Sequence, residues 1–152
     1  MMLNYAIDPL IGVGEVKFGM TAAQVSSLIG APDESDLDED SNEIREYRRE
    51  NGIQAVYSEN AKELVELGFG TNIVELNYDG VPLFTANDKA VYDRLLADDS
   101  NPYMLHGFII FLEIGVTLTG FFKSDNDDKA VTVFKKGRWD PLKPEMKKFI
   151  AK

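Results

Sequence analysis

Apolar residues along this chain fall into short stretches of two kinds, some spaced for a helix and others alternating as in a strand. The clearest helical stretch lies within Val16 to Asp33, V-K-F-G-M-T-A-A-Q-V-S-S-L-I-G-A-P-D. Thr21 suits an N-cap, because its hydroxyl can accept from an orphan N–H of the first turn. Gln24, three residues on, can bond back to the Thr21 N–H and close a capping box, with Met20 and Val25 as a hydrophobic staple. Gly30 suits the left-handed C-terminal position, and Pro32 prevents the helix from resuming. A second helix is predicted from a cap at Thr85 or Asn87, with Val91, Leu95 and Leu96 on its apolar face. Asp98-Asp99-Ser100-Asn101-Pro102 ends it and opens a loop. Lys143 to Lys152 predicts a short basic helix with Pro144 in its first turn and Met146, Phe149 and Ile150 turned inward.

Alternation predicts strands at Ile44–Glu50 and Ile53–Tyr57, flanking Asn51-Gly52, a dipeptide suited to a type I′ hairpin turn. Leu64–Phe69 sets Val65, Leu67 and Phe69 on one face, and Ile73–Tyr78 sets Val74, Leu76 and Tyr78 together. Asp79-Gly80 signals another turn. Phe108–Leu112, Val116–Phe122 (broken around Gly115) and Ala130–Phe134 read as further strands. Asp33–Glu43, D-E-S-D-L-D-E-D-S-N-E, reads as a solvated acidic loop, and Lys123–Lys129 as a polar turn.

Landmarks recur at nearly constant separation: Thr21 and Thr85, Gly52 and Gly115, Phe69 and Phe134. Each of the two units so marked closes on an aromatic residue and Asp, then Pro-Leu: Tyr78-Asp79 before Pro82-Leu83, and Trp139-Asp140 before Pro141-Leu142. The expectation is an α+β fold in one compact domain, 1–152, built from two tandem repeats of a short helix plus an antiparallel sheet. Pseudo-repeat 1 runs over about 11–84 and pseudo-repeat 2 over about 85–152, with the two sheets either separate or joined as one.

At 152 residues, 44% of them hydrophobic, the chain is long enough to bury a sizeable core. Sixteen basic residues against 26 acidic ones give a net charge of −10. That field disfavours nucleic acid and anionic membranes and suits a basic protein or cationic ligand. The chain contains no cysteine, which excludes disulfides, thiolate metal sites and a cysteine nucleophile. The opening M-M-L-N-Y-A-I-D-P-L has no basic n-region and carries Asp8-Pro9, so it does not read as a secretory signal. Phe108–Leu112, the longest apolar run, is too short to span a bilayer. Cytoplasmic residence is the expectation.

Several motifs fall short of a defined chemistry. Gly14-Glu-Val-Lys-Phe-Gly19-Met-Thr21 has the glycines and Thr of a phosphate loop, but Met20 stands where its Lys would be. Gly12-Val-Gly14 fails as a dinucleotide fingerprint at Lys17. Asp36, Asp38 and Asp40 have the spacing of a calcium loop, yet Ser41 replaces its glycine and Tyr47 its bidentate Glu. Only weak, adventitious divalent binding is left to that segment. His106 is the sole histidine, and no G-x-S-x-G elbow accompanies it. Neither a cofactor nor an enzymatic activity is expected.

The segment F-G-M-T-A-A-Q-V-S-S-L-I-G-A-P-D, Phe18 to Asp33, is similar to the opening of repeats in β-lactamase-inhibitor-protein-like and SmpA/OmlA-type folds. That resemblance implies short helices followed by antiparallel sheet, often in tandem. The chain departs from secreted members in lacking the lipoprotein Cys and any disulfide. In general character, small, acidic and free of cysteine, it also resembles immunity proteins that neutralise bacterial toxins. The functional expectation is therefore protein–protein inhibition: an immunity-type protein that occludes the active site of a basic toxin domain. The contact residues expected are Asp36, Asp38, Glu39, Asp40 and Glu43, with Tyr47, Tyr103 and Trp139 as aromatic anchors. A non-catalytic ligand-binding or assembly module using a sheet face is the alternative, and an unrecognised hydrolase the third.

Overall fold

The computed structural model describes residues 4–58, 62–122 and 129–149. Strands β1 (Ile7–Asp8), β2 (Gly12–Val13) and β3 (Val16–Lys17) form a small antiparallel sheet ahead of α1 (Ala22–Ile29). A meander follows: β4 (Glu34–Asp38), β5 (Glu43–Tyr47), β6 (Gln54–Ser58) and β7 (Glu63–Gly70). The hairpin β8 (Asn77–Tyr78) and β9 (Val81–Pro82) precedes α2 (Asp88–Asp98). Strands β10 (Tyr103–Leu105), β11 (Phe108–Phe111), β12 (Val116–Thr119) and β13 (Ala130–Phe134) make a second meander. A 3-10 helix, Asp140–Glu145, and β14 (Lys147–Lys148) come last. Nine strands join one antiparallel sheet in the order β14-β10-β11-β12-β13-β7-β6-β5-β4. The closing strands of the two meanders meet at its centre, from Ala130 opposite Gly70 to Phe134 opposite Glu66. The α+β class stands, and the sheet is continuous.

The helices cover one face of this sheet. Tyr57, Leu64, Leu67, Phe69, Val131 and Val133 from its centre share a buried cluster with Val25 of α1 and Val91 and Leu95 of α2. Leu105, Ile110 and Phe134 point the other way and are covered by Trp139, Leu142 and Met146 near the C-terminal end. That apolar covering reaches only the β10–β13 side. Over β4 to β7 the same face carries no such cover. Arg138 crosses it to Glu66 and Glu43, Val56 and Glu66 are buried there, and the rest stays open, an asymmetry that positions the candidate site.

Helix α1 forms where the capping signals place it. Thr21 Oγ1 accepts from the Gln24 N–H at 3.2 Å, and Gln24 Oε1 accepts from the Thr21 N–H at 2.9 Å. Gly30 takes a φ of 95° and donates to the Ser26 carbonyl. Met20 packs on the cluster that holds Val25. Thr21→Ala is expected to cost about 1 kcal/mol, the usual penalty for losing an N-cap. Chemical denaturation measures it, and an unmoved midpoint would show that the cap contributes nothing to stability.

Several expectations are corrected. Asp33–Glu43 is not a loop: Glu34–Asp38 pairs along its length with Glu43–Tyr47. An exposed edge strand needs only backbone partners on one side, so it leaves no hydrophobic alternation to read. The Asp38 carboxylate shapes the turn by accepting from the Asp40 and Ser41 N–H groups at 3.0 and 3.4 Å. Asn51-Gly52 is not a two-residue turn, because Tyr47 pairs with Gln54 and residues 48–53 form the connection. The Asn51 side chain instead donates to the Ile29 carbonyl and accepts from the Ile53 N–H. Left-handed residue pairs, the requirement of a type I′ turn, occur at Asp79-Gly80 (φ 50° and 83°) and His106-Gly107 (φ 51° and 85°).

Val65 does not share a face with Leu67 and Phe69. Val56 pairs with Glu66 and Tyr57 with Leu64, so Val65 is the extra residue of a bulge and Leu64 turns to the core. Only Asn77–Tyr78 of the Ile73–Tyr78 stretch is strand, and Val74 is exposed. Asn87, not Thr85, caps α2 through a bond from the Lys89 N–H, and Tyr92 joins its buried face. Tyr103–Leu105 is strand where a loop was expected, and β12 ends at Thr119. The basic helix at Lys143–Lys152 is replaced by the 3-10 helix and β14, since Pro141 and Pro144 remove two N–H donors. Lys123 to Asp128 and Ile150 lie outside the described residues.

Beneath α1 lies a buried polar network. Arg48, only 2% exposed, donates from Nε to the Gly30 carbonyl at 2.8 Å and from Nη2 to Glu46 Oε1 at 3.0 Å. The Tyr57 hydroxyl donates to the same Glu46 oxygen at 2.9 Å. Burial, followed by the Glu46 charge and its hydrogen bond, pushes the Tyr57 phenol above its ordinary range. A phenol whose folded pKa is raised stabilises the fold fully below about pH 10, its unfolded value, and loses that contribution as pH rises through the folded value. Ultraviolet titration of native protein is expected to show no change in the step near pH 10 on Tyr57→Phe. A smaller step would show that the phenol is solvated.

Candidate functional site

The open sheet face is built by register. Asp36 lies opposite Arg45, Arg45 opposite Val56, and Val56 opposite Glu66, so these side chains share it. One step along, Glu34, Tyr47, Gln54, Gly68 and Thr132 form a parallel row. Two depressions result. The first, about 490 Å³, runs along the acidic hairpin between Asp36, Leu37, Asp38, Glu43, Arg45 and Val56. The second, about 480 Å³, has Gly68, Gly70, Ala130 and Thr132 in its lining and Tyr47 and Arg49 beside them.

The carboxylates of the hairpin are not equivalent. Glu43 is held by Arg138, with Nη1 donating at 2.6 Å and Nη2 at 3.3 Å. Arg138 Nε donates to Glu66 at 2.7 Å, and its guanidinium lies 5.8 Å from the Trp139 ring centre. Burial of Arg138 opposes its charge, but the bonds and charges of Glu43 and Glu66 more than offset this and raise its pKa. Arg45 turns away from Asp36, donating to Gln54 at 3.4 Å and lying 3.9 Å from Glu66. Arg49 pairs with Glu34 at 3.5 Å, both side chains being exposed. The nearby cations are thus engaged elsewhere, and among the described residues Asp36, Glu39 and Asp40 form no ion pair.

Of the residues expected at a contact surface, Asp36, Asp38, Glu39, Asp40 and Glu43 are brought together by the β4–β5 hairpin, with Tyr47 one row away. Tyr103 is not: it lies on β10, at the opposite side of the sheet, half-buried against the Leu105–Phe134 cluster. Trp139 is half-buried, packing edge-on against Phe134 with centroids 6.1 Å apart, and anchors the C-terminal segment. Sequence reasoning did not single out Arg45 and Glu66, which meet through the pairing of β5, β6 and β7. Arg138 stands in a basic tail that could attract the acidic segment, and it reaches Glu66 and Glu43 once β13 pairs with β7. Sequence reasoning also missed Gly68 and Gly70, although Gly-x-Gly inside a strand is a local signal. Neither glycine has a positive φ, and an added Cβ would meet nothing nearer than 3.6 Å at Gly68 and 3.4 Å at Gly70. The bare strand is therefore not imposed by crowding.

His106 is exposed and forms the β10–β11 turn with Gly107. Its φ of 51° suits Asn as well as His and disfavours a β-branched residue. Among the described residues, no group of three His, Asp or Glu side chains is placed to hold a metal ion. Comparison with protein families, with curated proteins and with solved structures finds no match. No helix among the described residues is long and apolar enough to cross a membrane.

Proposed function

We propose that the chain is an immunity-type protein that binds a basic partner, a cognate toxin domain, and occludes its active site in the cytoplasm. The observation that carries this reading is the acidic β4–β5 hairpin, where Asp36, Glu39 and Asp40 stand exposed and form no ion pair among the described residues. Unneutralised surface carboxylates contribute little to folding. They do raise the rate of encounter with a basic cleft, and the net charge of −10 acts in the same direction. Repetition of the order helix, then four-stranded meander, supports a reading of the chain as two tandem units, about 11–84 and 85–152. Co-expression with the product of the adjacent upstream gene tests the function. A complex that co-purifies and suppresses a toxic activity is the expected result. Failure of both to occur would overturn the proposal.

A specific observation favours a second reading, a non-catalytic binding or assembly module. Gly68 and Gly70 leave a flat floor where an added Cβ would meet no atom nearer than 3.4 Å, although glycine inside a strand weakens it by roughly 0.5–1 kcal/mol relative to alanine. Strand glycines of this kind mark places where another group approaches the backbone closely. Gly68→Val is expected to raise thermal stability and reduce binding at this trough. Unchanged binding in a stabilised variant would assign the glycines no part in recognition. For the third reading, hydrolysis, His106 is the sole imidazole that could act as a general base. A hydrolase screen is expected to give no turnover that His106→Ala abolishes.

A further inference from the structure

We propose that β4 accepts an added strand: an extended segment of the basic partner pairs with its free edge and presents Lys or Arg at alternate positions. The argument begins with the backbone. Strand β4 lies at the end of the nine-stranded sheet, pairs only with β5, and exposes all five of its residues. Along its outer side the N–H and C=O groups that β5 does not use form a template for a further strand. The opposite edge, β14, offers only two residues.

Side chains define the occupant. Glu34, Asp36 and Asp38 share the open face of β4, while Ser35 and Leu37 share the other, with Leu37 48% exposed. An added strand facing this row therefore carries cations at every second position and an apolar residue near Leu37. Opposite charges directly across a ladder stabilise pairing, and like charges oppose it. That rule also argues against a second copy of the chain, whose own β4 would set carboxylates against carboxylates. The groove beside Asp36, Asp38 and Val56 provides room for long basic side chains on the open face. Because Arg45 is drawn to Gln54 and Glu66, it leaves Asp36 free to receive one.

The inference rests on the partner being basic but adds a mode of binding that can fail separately. The probe is a short synthetic peptide of alternating lysine and threonine, with two further versions N-methylated on one or the other alternating set of backbone amides. In a paired strand one set of N–H groups faces β4 and the other faces solvent. The unmodified peptide and one methylated version are expected to bind and to slow hydrogen exchange of β4 amides, while the other methylated version binds about tenfold more weakly. Asp36→Lys is expected to weaken the unmodified peptide to a similar degree. Equal binding of all three peptides would mean charge attraction alone and would overturn strand addition, as would undetectable binding. In the complex with a cognate partner, unprotected β4 amides would reject strand addition while leaving the inhibitor reading intact. Absence of any such complex would instead count against that reading.

Discussion

Arg48→Met is expected to destabilise the fold by about 3–5 kcal/mol, the range for removing one member of a buried ion pair. Arg48 and Glu46 are both buried, so the substitution leaves a carboxylate without its cation and far from water. It also removes the donor that satisfies the Gly30 carbonyl at the end of α1, where Arg48 Nη2 reaches Ser26 as well. Tyr57 would still donate to Glu46, but a neutral hydroxyl does not balance a buried charge. Replacing Arg48, Glu46 and Tyr57 together by Met, Leu and Phe is expected to recover most of the loss, since no buried charge is then left unpaired and only the Gly30 carbonyl and Ser26 hydroxyl lose their Arg48 donor. Chemical denaturation of the single, double and triple variants measures the coupling directly. A loss below about 1 kcal/mol for Arg48→Met would place the pair in water, as for a surface ion pair.

The same network shows what a reading of the chain alone misses. Arg48 and Glu46 occur in a run of charges, R-E-Y-R-R-E, that reads as solvated. They are buried because α1 lies over this part of the sheet, a long-range fact that no local spacing encodes. Helix α1, by contrast, was legible to the residue, because Thr21, Gln24 and Gly30 act through bonds within a few positions of one another. Strands β11 and β13 were legible for a different reason: their apolar residues are confined to short runs bounded by polar turns. The exposed edge strand β4 has no such run, so its pairing came only from the sheet. The candidate site divides the same way. Acidic residues adjacent in sequence stayed adjacent across the hairpin, whereas the expected aromatic anchors depended on tertiary placement. Trp139 and Tyr103 became packing residues for the C-terminal side of the sheet.

Neutralising Asp36, Glu39 and Asp40 together as Asn, Gln and Asn is expected to slow association with the cognate partner by about tenfold at low salt. These three carboxylates form no ion pair among the described residues, so their removal leaves the internal charge network in place. Asp38 is kept because its carboxylate holds the Asp40 and Ser41 N–H groups of the turn. Glu43 is kept because Arg138 grips it with two bonds, and Glu43→Gln is expected to act on stability instead of encounter. Dissociation is expected to change less than association, since exposed charges guide approach over a distance but are screened by water and salt once contact is made. Raising the ionic strength above the physiological range is therefore expected to bring wild type and triple variant together. Binding to the immobilised partner at two ionic strengths separates these effects. Equal association rates at low salt would remove the hairpin from the encounter and leave the Gly68–Gly70 trough as the remaining contact surface on the open face.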